Sequence, residues 1–332
     1  MAQQPPRKLI IQIPCYNEEA TLGITLAALP RAVPGFDVVE RMVIDDGSTD
    51  RTSEVARAQG VDHLVRLPQN QGLARAFVAG IEAAVRAGAD VIVNTDADNQ
   101  YCADDIPKLV KPILDGEAEF VVGARPIVAL DHFSRTKKIL QLLGSRVVRL
   151  ASHTRVADAP SGFRAISRGA ALQLNVFGEY TYTLETIIQA GHNNIPVASV
   201  PIRTNPDLRP SRLIRSLPRY VLRSAATIVR SFAIYRPLRF FAGIGLLLAA
   251  AGGLLALRYL YYVLVGEGAG HVQSVIVSCL LMGLGVFTGM IGVIADLISV
   301  NRRLLEQIDA RLRAVQLAAP AASPERDRRG AA

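Results

Sequence analysis

"DVIVNTDADNQY" (residues 90–101) runs from an apolar stretch straight into carboxylates, amides and a phenol. Its apolar part reads as a short buried strand. Asp96 and Asp98 stand one residue apart just beyond it. Alternate residues of an extended chain point to opposite sides, so a turn has to bring these two carboxylates together. Hard oxygen ligands suit Mg2+ or Mn2+, and such an ion commonly neutralises a diphosphate. Taken alone, the pair fits either that cation site or a solvated acidic turn.

The surrounding chain alternates strand and helix. "KLIIQIP" (8–14) is an apolar run closed by proline, and "EEATLGITLAAL" (18–29) has helical spacing. "VERMVIDDGSTD" (39–50) is a strand entering an acidic, glycine-containing turn, followed by the helix "RTSEVARAQG" (51–60). "HLVRLP" (63–68) gives a third strand, "GLARAFVAGIEAAVRAG" (72–88) a helix, 90–98 the fourth strand and "AEFVVGAR" (118–125) a fifth. "PSGFRAISR" (160–168) reads as one more strand, "TYTLETIIQAG" (181–191) as a helix and "IPVASVPIR" (195–203) as the last strand. This order predicts an α/β domain with a mainly parallel sheet covered by helices on both faces. Ligands of such sheets bind beyond the carboxyl ends of the strands. Pro14–Glu18, Asp45–Asp46, Asp96–Gln100 and Arg125 all fall there.

The 332 residues carry a formal net charge of +8. A basic balance points to nucleic acid, anionic lipid or a phosphorylated substrate. Phe240–Leu257 and Val272–Ala295 contain no charged residue, and only "GEGAGH" (266–271) and its approach separate the two apolar stretches. Each is long enough to span a bilayer, so a two-helix hairpin is expected, over about 239–265 and 272–297. Buried core helices are the alternative, but helices this long without a polar face do not suit so small a domain. Arg236 and Arg239 precede the first span, Arg302 and Arg303 follow the second, and the linker has no Lys or Arg. The positive-inside rule then places both termini and the α/β domain in the cytoplasm. Between Arg203 and Arg239 lie nine arginines, no lysine and one acid, which fits a helix resting on an anionic membrane or a solvated basic face. "HFSRTKKILQLLGSRVVRLA" (132–151) also reads as a basic amphipathic helix. The expected organisation is an α/β domain over 1–205, an interfacial region over 206–236, the hairpin over 237–300, and a cytoplasmic helix with a disordered tail over 301–332. The helix after Arg302 lies on the surface or pairs with another protomer, which leaves a homo-oligomer open. The N-terminus shows no apolar signal-peptide core, and Cys15, Cys102 and Cys279 lie too far apart for a disulfide framework.

"IPCYNEE" (13–19), "VIDDGSTD" (43–50), "QNQGLARA" (69–76), "TDADNQY" (95–101), "GAR" (123–125) and "SGFRAISR" (161–168) occur in an order and at spacings that resemble family 2 glycosyltransferases of the GT-A fold. The resemblance is strongest to dolichyl-phosphate mannosyltransferase and bacterial polyprenyl-phosphate glycosyltransferases, and covers about residues 8–235. It implies inverting transfer of a sugar from a nucleotide-sugar, a GDP- or UDP-hexose, to a polyprenyl phosphate at the cytoplasmic face of the cell membrane. It further implies that Pro14, Tyr16, Glu18, Ile44 and Asp46 sit around the nucleotide and that Asp96, Ala97 and Asp98 form the metal–diphosphate segment. Gln100 is then an additional metal ligand and Arg125 a phosphate contact. Arg203, Arg209 and Arg212 are candidates for the acceptor phosphate, with Arg212 the best match, and Asp158 and Glu185 match recurrent positions of less defined role. Asp98, Arg125, Asp158 and Arg212 make up the expected catalytic group, with Mg2+ or Mn2+ as cofactor.

The chemistry agrees with the composition. An acceptor phosphate is already ionised near neutral pH, so it needs cations rather than a strong general base. The five histidines fall outside every motif. The chain has no tryptophan, which excludes the QxxRW motif of processive polysaccharide synthases. Nucleic-acid binding lacks the interleaved aromatics that single strands need, and a dinucleotide-binding dehydrogenase would want GxGxxG after the first strand. Transfer to another membrane-associated acceptor, or a non-catalytic sugar-lipid scaffold, are the remaining alternatives.

Overall fold

The computed structural model describes residues 6–126, 144–149, 152, 154–174, 182–206, 236–266 and 268–318, with a few positions within 222–233. Its strands are β1 (Lys8–Cys15), β2 (Val38–Asp45), β3 (His63–Arg66), β4 (Val91–Asn94), β5 (Phe120–Ala124), β6 (Arg164–Ser167) and β7 (Val197–Pro201). They form one sheet in the order β3-β2-β1-β4-β6-β5-β7. All pairings are parallel except those of β6, which runs antiparallel between β4 and β5.

The central strands are buried on both faces, which is why they read as unbroken apolar runs. Leu9, Ile10, Ile11 and Ile13 of β1 are fully buried, as are Ile92 and Val93 of β4. The covering helices are α1 (Leu22–Ala28), α2 (Thr52–Ala58), α3 (Leu73–Arg86), α4 (Ile106–Leu114), α5 (Arg168–Gln173) and α6 (Thr183–His192). On α3 the face formed by Ala76, Phe77, Gly80, Ile81 and Ala84 is buried. Gly80 allows the closest approach, since a Cβ there would lie 2.4 Å from Gln12 Oε1 and 2.7 Å from Ile44 Cδ1.

The reversal of β6 has a consequence for function. A parallel strand ends at the sheet's carboxyl edge, whereas an antiparallel one begins there. In register, Arg164 of β6 faces both Asn94 of β4 and Val122 of β5. The stretch before Arg164, Asp158–Phe163, is therefore delivered between the ends of those strands.

The second compact unit, Val229–Gln307, contains α7 (Pro237–Leu264) and the first part of α8 (Val272–Ala318). Pro237–Leu264 and Val272–Arg302 are each long and apolar enough to cross a membrane. Their apolar side chains largely face outward: Leu246 is 72% exposed and Ile276 65%. Small residues bring the two helices together. A Cβ on Gly245 would lie 2.6 Å from the Gly285 carbonyl, and Ser278 Oγ donates to the Gly252 carbonyl at 2.7 Å. Such close backbone approach is how helices associate where no hydrophobic effect drives them. Near the connecting turn, Tyr262 stacks on His271 at 3.7 Å, and the Arg258 guanidinium lies over the Tyr262 ring. Arg209 and Arg212, most of the basic helices expected over 206–236 and 132–151, and the tail from 319 onward lie outside the described residues.

Candidate active site

Parallel pairing of β1 and β2 sets Pro14 against Ile44 and Cys15 against Asp45, so "CYNEE" and "DDGSTD" emerge side by side. The two loops then cap one another. The Asn17 amide donates to Ser48 Oγ at 3.0 Å, and its side-chain oxygen accepts from the Thr49 amide at 2.9 Å. The Glu18 amide donates to Thr52 Oγ1 at 2.8 Å, and the Arg51 amide to Glu19 Oε2 at 3.1 Å. Asn17 adopts a left-handed φ of 54°, a conformation asparagine tolerates. Its neighbour Tyr16 is 41% exposed at the rim. Glu18 is buried, with Oε2 accepting from Thr21 Oγ1. Ile44 packs its side chain against Gly80, so only its backbone end belongs to the rim.

Asp45 and Asp46 divide their work. Buried Asp45 accepts from the Ser48 amide at 2.8 Å and from Ser53 Oγ. Asp46 accepts from the backbone amides of Gln71 and Gly72, both at 2.8 Å. Burial pushes its carboxyl upward, and these two bonds pull it back. The carboxylate assigned to base and ribose by resemblance therefore also shapes the "QNQG" turn. Gly47 completes the contact with φ +67°, where a Cβ would lie 2.4 Å from the Gln69 carbonyl carbon. Gly47→Ala is expected to cost about 3 kcal/mol through backbone clash and left-handed strain. In a melt of the detergent-solubilised protein, that is a fall of roughly 6–12 °C.

The acidic loop leaves β4 through Thr95, whose amide donates to the Gln12 carbonyl at 3.1 Å. A turn at Ala97–Asp98 follows. The Ala97 carbonyl is anchored by Thr25 Oγ1 of α1 at 2.8 Å. Asp98 Oδ1 accepts the Gln100 amide at 3.2 Å, and Asn99 takes φ 57°. Here is the turn that the Asp-x-Asp spacing required. Burial and the neighbouring Asp98 carboxylate push the Asp96 carboxyl up to about 7, with Arg125 and the Tyr101 hydroxyl acting in the opposite direction.

Beneath Asp96 lies a buried polar network that the sequence did not mark. The Tyr101 hydroxyl bonds to Asp96 and accepts the Gly162 amide at 2.9 Å, while its ring stacks on Phe163. A Cβ on Gly162 would stand 2.9 Å from Asp96 Oδ2. Asn94 Nδ2 donates to the Gly162 carbonyl and to the Tyr182 hydroxyl, and Gln12 Nε2 donates to Asn94 Oδ1. Tyr182 stacks on Phe77 with centroids 3.9 Å apart. Burial raises both tyrosines' pKa values, keeping the phenols protonated and neutral. Arg164 is wholly buried. Its donors meet the carbonyls of Ser161, Ala159 and Thr183 and the Thr186 hydroxyl, and burial pushes it down to about 10. Arg164 stands in the quoted "SGFRAISR"; only its placement opposite Asn94 reveals what it does.

Arg125 follows β5 and forms a two-point ion pair with Asp158, Nε to Oδ2 at 2.7 Å and Nη2 to Oδ1 at 3.1 Å. Both side chains are nearly buried, 8% and 1% exposed. Despite burial, which lowers it, Asp158 holds the Arg125 pKa above the ordinary range. Nη1 makes no hydrogen bond to the described residues. Arg203 instead pairs with Asp105, Nη2 to Oδ1 at 2.9 Å. Despite burial, Arg203 and Lys108 hold Asp105 down at about 2. Glu185 is buried in the first turn of α6.

Among the described residues no three His, Cys, Asp or Glu side chains converge on one point. A cation here would be held by Asp98, Asp96 and Gln100 together with substrate oxygens and water, the usual arrangement for Mg2+. The donor set fits: both carboxylates are hard oxygen ligands, and a divalent ion would relieve the repulsion from Asp98 that, after burial, raises the Asp96 carboxyl.

The profile of glycosyl transferase family 2 matches residues 10–174. The chain is 31% identical over 217 residues to the UDP-N-acetylglucosamine–dolichyl-phosphate N-acetylglucosaminyltransferase of Methanococcus voltae, covering 58% of this chain and 83% of that one. It is 24% identical over 210 residues to the polyprenol monophosphomannose synthase of Mycolicibacterium smegmatis, covering 60% and 78%. In fold it is similar to glucosyl-3-phosphoglycerate synthase of Mycobacterium tuberculosis, crystallised with Mn2+, UDP-glucose and phosphoglyceric acid. The TM-score is 0.55, the identity 22%, and the coverage 68% of this chain and 80% of that one.

Proposed function

The chain belongs to glycosyl transferase family 2, and we propose that it transfers a hexose with inversion from a GDP- or UDP-sugar to a polyprenyl phosphate at the cytoplasmic membrane face. The observation that carries this reading is the placing of the Asp96/Asp98 loop at the sheet's carboxyl edge, close enough to charged Arg125 for each to shift the other's pKa. The two bilayer-length helices and the relatives named for polyprenyl- and dolichyl-phosphate acceptors add support.

Tyr16 and the backbone ends of β1 and β2 would border the nucleotide. Asp98, Asp96 and Gln100 would hold Mg2+ or Mn2+, which neutralises the departing diphosphate. Arg125 Nη1 adds a fixed positive charge beside that leaving group, and Asp158 holds the guanidinium in place. The acceptor needs no base, because its phosphate oxygen arrives ionised and attacks the anomeric carbon from the face opposite the leaving group. Bringing two anions together is the remaining cost. Arg203 is already paired with Asp105, so the arginines from 209 onward, with Arg212 foremost, would supply the opposing charge.

Purified protein given polyprenyl phosphate, Mn2+ and labelled GDP- and UDP-hexoses should yield a lipid-linked sugar from at least one donor. No product from any donor would defeat the reading. A topology reporter in the 266–271 linker should respond on the non-cytoplasmic side.

A further inference from the structure

Three consecutive carbonyls of the acidic loop are taken by one distant residue. The Asn205 amide donates to the Gln100 carbonyl at 2.9 Å. Its side-chain Nδ2 donates to the Asn99 carbonyl at 2.9 Å and to the Tyr101 carbonyl at 3.3 Å. The chain just before it reinforces the contact: Thr204 bridges Tyr101, and the Cys102 amide donates to the Arg203 carbonyl at 3.3 Å. Arg203 is in turn clamped to Asp105 at the start of α4, its own amide donating to Oδ2 at 2.7 Å. Pro206 follows, and proline holds the preceding residue in the extended conformation that such a bridge needs.

We propose that Asn205 is a positioning residue that sets the shape of the cation-holding loop. It rests on the reading of Asp98 and Gln100 as holders of the donor's cation. Asn99 occupies a left-handed conformation between those two residues, and its peptide can rotate unless its carbonyl is held. Asn205 holds that carbonyl and the next two. The loop's amide side is closed by the Asp98 carboxylate on the Gln100 amide, and its carbonyl side by Asn205. Asp98 and Gln100 are thereby presented together before any ion arrives. Groups that orient metal ligands typically account for 10- to 100-fold in metal affinity.

The test is Mn2+ binding to the full-length protein in detergent, followed by electron paramagnetic resonance, with UDP and separately with GDP present. Asn205→Ala should weaken Mn2+ binding roughly 10- to 100-fold, and Asn205→Ser, which keeps one donor, should fall between. Melting temperature and metal-free nucleotide binding should stay close to wild type, and the variant's kcat should recover towards wild type at saturating Mn2+. Wild-type affinity in both variants would overturn the proposal. So would a loss of metal-free nucleotide binding or of folding that matches the loss of Mn2+. A wild-type protein that binds no Mn2+ with either nucleotide would overturn it too. Failure of the acceptor reading shows separately, as Mn2+–nucleotide binding without transfer to polyprenyl phosphate.

Discussion

Asp98→Ala is expected to lower kcat/KM for sugar transfer by roughly 10³-fold, about 4 kcal/mol of transition-state stabilisation. Asp98 closes the turn that places Asp96 beside it, and its charge is the second cause, after burial, of the raised Asp96 carboxyl. The same fact predicts a change in stability of opposite sign. Asp96 binds its proton more tightly in the folded chain than in the unfolded one, so the metal-free protein loses stability as pH rises from the ordinary carboxylate range through about 7. Removing Asp98 relieves part of that loss. Metal-free Asp98→Ala should therefore melt above wild type at pH 8, and the two should converge towards pH 4. Mn2+ with nucleotide should raise the melting temperature of wild type and leave the variant unmoved. A variant that keeps both activity and its Mn2+ response would remove Asp98 from the site.

The second large effect belongs to Arg125 and Asp158. Arg125→Ala leaves Asp158 as an unpaired carboxylate only 1% exposed. Breaking such a pair costs about 3–5 kcal/mol, far more than an exposed ion pair contributes. Asp158→Asn should cost less, because the amide can still accept from the guanidinium. Replacing both partners, as Arg125→Met with Asp158→Leu, should restore most of the stability, since no buried charge remains. Activity separates structure from chemistry. The refolded double variant should stay at least 10²-fold below wild type, because Nη1 is gone. Activity regained along with stability would assign Arg125 a structural role alone. Chemical denaturation and the transfer assay, run on all four forms, read both quantities.

Much of this site was legible before any coordinates. The alternation of strand and helix, the acidic residues after "VIVN" and the arginine after "FVVGA" follow from local pattern, and each lies where its strand leaves the sheet. The two long apolar helices were equally plain, because each is an unbroken run of the length and polarity that crossing a bilayer requires. The resemblance sets Asp46 beside the nucleotide, yet its oxygens also cap two amides 25 and 26 residues away. The resemblance makes Arg203 a candidate for the acceptor phosphate, yet its guanidinium is paired with Asp105 across 98 residues. Neither partner is implied by anything near it in the chain.

Local sequence determined which side chains carry charge and oxygen ligands and which segments form strands, since these depend on periodicity within a few residues; the fourth strand, expected over 90–98, ends at Asn94, where the chain turns at Ala97–Asp98. Tertiary structure decided what holds those side chains. Antiparallel β6 wedges between β4 and β5 and inserts Gly162 under Asp96. Gln12, Asn94 and Tyr182 then form one buried chain of hydrogen bonds from three separate segments. Asn205 closes the acidic loop from 104 to 106 residues away. Such partners are set by burial, because a polar group taken out of water must find a donor or acceptor wherever the packed chain offers one, at any separation in sequence.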